Sequence, residues 1–211
     1  MKAAAVNSLA EQLEEMALSL RWSERGCLLI AAASDRALES AIVRALKERI
    51  EHEVAVTEFA YSSQRLSLSQ VLRALPPPRA RAALFVTDLD NLAPEDRETA
   101  IRSLNWGRER LAWAGYSVVL WVRPPTVGEL MFQAHDFFSW RSGVYEFVLP
   151  RDEVARAEAL SAVRLFAPGD YEALRRRYLD HLVASYQWLD FRGLLQVRNI
   201  VRLKLDEVYV P

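Results

Sequence analysis

The chain has 211 residues, 51% of them hydrophobic and 26% charged, which is enough to bury a core and too apolar for a disordered segment. Its 27 Lys and Arg against 28 Asp and Glu give a formal net charge of −1. That balance excludes bulk-charge attachment to nucleic acid or an anionic membrane, while a local patch stays open.

Residues 3–20 carry Val6, Leu9, Leu13, Met16 and Leu20 at steps of three and four, so a helix with one apolar face is expected, with Glu11, Glu14 and Glu15 on its other faces. CLLIAAA (27–33) is a continuous apolar run between Gly26 and Ser34-Asp35 and reads as a buried strand. A helix follows over 35–51, apolar at Leu38, Ala41, Ile42, Ala45, Leu46 and Ile50, with Ser34 or Asp35 placed to cap it. EVAVTEF (53–59) suggests a strand nearer the sheet edge. Residues 67–75 suit a short helix ended by Pro76-Pro77-Pro78. AALFVT (82–87) is a second buried strand. Pro94 fits the first turn of a helix running to about Trp113, with Ile101, Leu104 and Leu111 inward. Gly115 ends that element, SVVLWV (117–122) is a third apolar strand, a helix is expected near 127–134, and VYEFV (144–148) is a further short strand.

Strands alternating with helices predict an α/β fold: three layers, a mainly parallel sheet of about five strands, P-loop NTPase-like. The most apolar strands, 27–33, 82–87 and 117–122, are expected at its centre. Ligands on such sheets sit beyond the carboxyl ends of the strands. Those ends are Ala33-Ser34-Asp35, Asp88 to Asn91, and Arg123 to Thr126. After Pro150 the pattern changes to two helical stretches, 152–166 and 171–189, and then an alternating strand at Val201, Leu203 and Leu205. The expected organisation is a flanking helix at 1–21, the α/β domain at 22–150 and a helical and strand extension at 151–211.

LFVTDLDN (84–91) looks like a Walker B segment: an apolar strand delivering Asp88 where it could hold Mg²⁺ through water, with Asp90 beside it. A plain turn or capping role for both acids is the competing reading. A phosphate loop needs GxxxxGK[ST], because glycines let backbone amides wrap the phosphates and the lysine neutralises them. The stretch after the first strand, AAASDRALES, has neither glycine nor lysine. Asp35 would bring negative charge to the phosphates, and Arg36 is the one cation nearby. ATP hydrolysis is therefore not expected, and no cofactor is expected, ATP with Mg²⁺ being the only one with a remnant of a site.

Two blocks, SLNWGRERLAWAGYSVVLWV (103–122) and DFFSWRSGVYEF (136–147), resemble the N-terminal region of bacterial NACHT-type signalling NTPases. These are of the STAND class and related to NOD-like immune receptors. The closing segments YLDHLVASYQWLDFRGLL and VRLKLDEVYVP, within 178–211, are similar to the linker that enters the NACHT module. The resemblance spans about residues 22–211. It implies a modular cytoplasmic protein in which a sensor or regulatory part precedes an NTPase, with oligomerisation triggering an output such as antiphage defence. It also implies a chain that continues past Pro211. The family's nucleotide-binding residues have no counterparts here, so no catalytic residue is assigned.

The remaining candidates each have a plain structural reading. Asn105, Arg108 and Glu109 suit a solvated helix face, with Arg108 also a contact candidate. Trp140 and Arg141 could pair as aromatic and cation to fix a loop, or dock another domain. His135-Asp136 lacks a nucleophile motif nearby and reads as a structural pair. Cys27, the one cysteine, reads as a small core residue and excludes an internal disulfide. His52, His135 and His181 lie far apart, with no metal-ligand spacing. No apolar run approaches the roughly 18 residues of a membrane helix, and the acids within the first 20 residues exclude a signal peptide.

The expectation is a non-catalytic regulatory or interaction domain. Its partners would be other domains of the same protein or further copies of it, with no membrane. One alternative is a nucleotide-binding enzyme with an unconventional site centred on Asp88, Asp90 and Arg36. Another is a nucleic-acid module acting through Arg192, Arg198, Arg202 and Lys204. That stretch lacks the interleaved aromatics of a stacking platform, so nucleic acid is not expected as a partner.

Overall fold

A computed structural model of the chain describes residues 9–24, 26–148, 188–190 and 202–204. For 108–113, 188–190 and 202–204 the description covers the backbone alone. The chain divides into two units, Met1–Phe166 and Ala167–Pro211.

The first unit is built on five parallel strands: β1 (Leu28–Ala33), β2 (Ala55–Ala60), β3 (Ala82–Thr87), β4 (Ser117–Val122) and β5 (Gly143–Phe147). Their order is β2-β3-β4-β1-β5, parallel at every pairing. The three most apolar strands hold the centre, as expected. A strand buried on both faces needs apolar side chains at every position, and all six residues of β1 and of β4 are buried. β2 buries only Phe59 and leaves its other five positions exposed or half-buried, as an edge strand does.

Two cores lie on the two faces. One collects Leu28, Ile30, Leu84, Val86, Val118 and Leu120 under α3 (Leu68–Ala74), α4 (Pro94–Trp113), α5 (Pro124–Gln133) and α6 (His135–Ser139). The other collects Leu29, Ala31, Phe85, Val119 and Trp121 under α1 (Leu9–Trp22) and α2 (Arg36–Ile50). Neighbouring residues of one strand thus go to opposite cores, which is the period of two that makes a three-layer α/β fold.

Turn residues set the element ends. The side chain of Asp35 accepts the Leu38 amide at 2.8 Å and caps α2. Pro124 and Pro125 open α5, three residues before the expected start, because the first helical turn does not use the amides that proline lacks. Gly26 has φ +84°, and a Cβ there would stand 2.5 Å from the Tyr116 carbonyl oxygen, so β1 and β4 can begin side by side only with glycine at this position.

Three expectations are corrected. Glu14 is buried and faces the Arg49 guanidinium, Nε to Oε1 2.6 Å, rather than lying on an open face of α1. α1 also buries Leu18 and Ser19, so it is covered more widely than a single stripe. The helix expected to reach Leu189 does not, because Trp188–Asp190 forms an antiparallel pair with Arg202–Lys204. That ladder, β6 and β7, confirms the closing strand, with Leu203 opposite Leu189. The helix expected over 152–166, and most of that over 171–189, lie outside the described residues, as do Leu111's side chain, Arg192 and Arg198. No helix among the described residues is long and apolar enough to cross a membrane.

Candidate functional site

The carboxyl ends of β1, β3 and β4 open on one end of the sheet. The register pairs β1 with β4 and β4 with β3, so the three turns singled out in the sequence come together there.

The turn after β1 is short. Ser34 donates its amide to the Phe147 carbonyl at 3.3 Å, and α2 begins at Arg36. Asp35 is the cap, so a carboxylate already occupies the N-terminal end of α2, where an anion would meet free amides.

The turn after β3 separates the two acids. Asp88 has φ 64° and ψ 14°, and it is the one non-glycine residue with positive φ among the described residues. This left-handed conformation suits Asp better than most side chains but still carries strain. Its carboxylate accepts from Asn91 Nδ2 and, at 3.2 Å, from Thr87 Oγ1. Arg36 Nη2 stands 3.6 Å away. The side chain remains 24% exposed.

The short 3-10 turn Leu89–Asn91 then points Asp90 inward. Asp90 accepts the Arg123 amide at 2.7 Å, the Thr126 hydroxyl, and Arg97 Nη2 at 3.3 Å. Arg97 also reaches Thr126 Oγ1 at 2.7 Å and Glu129 Oε2 at 2.8 Å. One carboxylate, 16% exposed, therefore ties the β3 turn to the starts of α4 and α5 and to the end of β4.

Glu39, on the first turn of α2, completes the cluster. Burial pushes its carboxyl above the usual range, Arg123 and Arg36 pull it back, and Asp88 and Asp90 push it further up. Arg123 Nη1 is buried with no hydrogen-bond partner. An open groove runs from Thr87 and Asp88 along Arg36, Ser40, Arg44 and Lys47 of α2.

Sequence reasoning brought Asp88, Asp90 and Arg36 to this end but missed Glu39, Arg97, Arg123, Thr126 and Glu129. Their partners lie up to 36 residues away in sequence, and no local spacing marks such a set. Proximity to a strand end did flag Arg123 and Thr126 as a segment, though without roles.

The other candidates fall elsewhere. Arg141 stacks on Phe138, 4.1 Å to the ring centroid, and donates to the Phe138 carbonyl at 2.9 Å, so the aromatic–cation contact expected with Trp140 is made with Phe138 instead. The reason is helical geometry, since residues three apart share a side at the end of α6. Trp140 is left exposed. Arg108 lies in α4, its side chain outside the description. Asn105 accepts the Phe137 amide at 3.0 Å and donates to the Gln133 carbonyl, so it joins α4 to α5 and α6 rather than serving a solvated face. His135 and Asp136 are exposed, 3.7 Å apart. Among the described residues no cluster of three or more His, Cys, Asp or Glu could hold a metal.

No family model and no curated protein matches the chain. Solved structures similar to it include the ORC1 protein of Aeropyrum pernix in complex with DNA, with TM-score 0.44 and 15% identity over 87% of this chain and 56% of that one. A second is Drosophila ORC bound to AT-rich DNA and Cdc6, with TM-score 0.39 and 16% identity over 88% of this chain and 73% of that one. The chain spans little more than half the length of the ORC1 chain.

Proposed function

We propose that this chain is a non-catalytic regulatory or interaction domain of a larger NACHT-type signalling protein, built on an α/β sheet of P-loop type whose phosphate site is closed. One observation carries the non-catalytic half: Asp35, a carboxylate, caps α2 where a phosphate would be bound. The acids beyond β3 agree with it. Asp90 is spent on three donors that hold the turns together, and Asp88 is held by Thr87 and Asn91. These residues do not fit a Mg²⁺-nucleotide, and no catalytic step is assigned to them.

The interaction half draws on exposed aromatics. Trp106 is 91% exposed on α4 and Phe132 84% exposed on α5. The two helices are neighbours here, since Asn105 donates to the Gln133 carbonyl, and grouped exposed apolar side chains, unlike single ones, mark surfaces that meet a partner. The partners proposed are other domains of the same protein or further copies of it, in the cytoplasm. The NACHT assignment itself rests on the resemblance of 103–122, 136–147 and 178–211.

Thermal unfolding with millimolar Mg-ATP or Mg-GTP tests the closed site. A ligand at about 100 times its dissociation constant would add about 2.7 kcal/mol of stability, and no shift is expected. A Mg²⁺-dependent rise in Tm that disappears in Asp88→Ala would overturn the reading in favour of an unconventional nucleotide site. A reading frame that continues past Pro211 into GxxxxGK[ST] supports the NACHT assignment, and one without it removes that assignment.

A further inference from the structure

α4 carries one large side chain that the packing of the domain does not use. Trp106 is 91% exposed, whereas tryptophan is on average a highly buried residue. Its neighbours on both sides are committed. Asn105 accepts the Phe137 amide and donates to the Gln133 carbonyl, which fixes α4 against α5 and α6. Gly107 is buried against α3, where a Cβ would stand 2.7 Å from the Ser69 Cβ. With one neighbour packed on each flank, helical geometry leaves Trp106 on the outer crest of α4.

Charge along this crest is ordered. Glu98, Arg102, Trp106 and Arg110 follow one another at steps of four, so their positions form one ridge of the helix. Glu98 and Arg102 are exposed and pair with each other. The first turn adds Glu95 and Asp96, and the stretch after Trp106 adds Arg108, with Glu109 the one acid there. The helix dipole favours acids at the start and bases at the end. That accounts for the order of the charges but not for a tryptophan left in water between two arginines.

A ridge of this order is complementary to itself reversed. Two copies of α4 packed antiparallel, about a twofold axis level with Leu104, set Glu98 opposite Arg110 of the other copy and Arg102 opposite Trp106. Each contact then occurs twice. The first is an ion pair, and the second lays a guanidinium on an indole face. The Glu98–Arg102 pair within one helix gives way at little cost, because exposed ion pairs contribute little. A formal net charge of −1 puts little repulsion between two copies. A phosphate backbone or an anionic bilayer would meet Glu95 and Glu98 at one end of the ridge, so neither suits it. A protein interface needs an apolar centre inside a charged rim. Trp106 supplies that centre, with the exposed Phe132 on the neighbouring α5.

We propose that α4 is a self-association surface. Two copies of this chain pair through antiparallel α4 helices centred on Trp106, with Glu98 of each copy facing Arg110 of the other. This pairing rests on the chain being an interaction domain and makes a second copy the partner; the closed nucleotide site plays no part in it.

Sedimentation velocity of the full 211-residue chain tests the pairing. The weight-average mass is expected to rise from 24.1 kDa toward twice that value between about 1 and about 100 μM. Trp106→Ala should weaken the dimer at least about tenfold, since an aromatic anchor is lost from both copies. Glu98→Arg and Arg110→Glu should each weaken it comparably, because like charges then face each other in both contacts. An equimolar mixture of those two variants should dimerise again, and the recovery should fade as salt rises from about 50 to about 500 mM. At about 1 μM all three variants should melt close to the wild type, as surface substitutions do, so that a loss of pairing is not a loss of fold. A chain that stays at 24.1 kDa throughout overturns the pairing and leaves other domains of the same protein as partners of the exposed aromatics. A dimer that the three variants leave intact also overturns it, as does a mixture that fails to recover what the two charge variants lost.

Discussion

Asp88 and Asp90 look alike in the sequence, two acids after an apolar strand, and the fold treats them differently. Asp90 accepts from three donors, one of them the Arg123 backbone amide. Removing it strands those donors, and unpaired buried donors cost more than the bonds themselves were worth. Asp90→Ala is expected to lower stability by about 2–4 kcal/mol in urea unfolding. Asp88 instead sits at positive φ with two short-range bonds. Asp88→Gly loses those bonds but relieves a backbone conformation that costs about 1–2 kcal/mol for residues with a Cβ. The net change should stay within about 1 kcal/mol. Equal losses in the two variants would show that Asp90 is not the residue tying the turns together. Nothing local distinguished the acids, because the partners of Asp90 come from α4, α5 and the end of β4. The Asp35 cap, by contrast, was legible, since its partner is three residues away.

Among the elements, legibility followed punctuation. α4 was expected over Pro94 to Trp113 and β4 over Ser117 to Val122, and both have those bounds, because Pro94 and Gly115 mark the breaks chemically. The turn Leu89–Asn91 and α6 went unread, since elements of three and five residues show no period. α1 was misjudged for another reason. Charge at Glu14 signals solvent when read alone, and only the arrival of Arg49 from α2 makes burial tolerable. Arg49 also donates to the Ala45 carbonyl at 2.9 Å. Breaking one side of a buried pair leaves an uncompensated charge, so Glu14→Ala or Arg49→Ala should each cost about 3 kcal/mol. Exchanging both for apolar residues of similar size, Glu14→Leu with Arg49→Met, should recover most of the loss. Chemical denaturation of the three variants checks this, and a double variant as unstable as the single ones would assign the effect to packing alone.

For the whole molecule, both cores draw on the same three central strands, so those strands open last. Native-state amide exchange should be slowest in β1, β3 and β4 and faster in β2 and β5, each of which has one neighbour in the sheet. Protection in β2 equal to that in β1 would contradict this order. The sequence by itself determined the class of fold, the central strands and the want of a phosphate loop, because those follow from composition and spacing over a few residues. A glycine-free stretch after β1 cannot wrap phosphate however the chain folds. Only the tertiary structure decided that Asp90 is bonded rather than free and that Glu14 is buried. Such facts depend on partners tens of residues away, whose approach is set by strand order and helix packing and leaves no periodic trace in the chain.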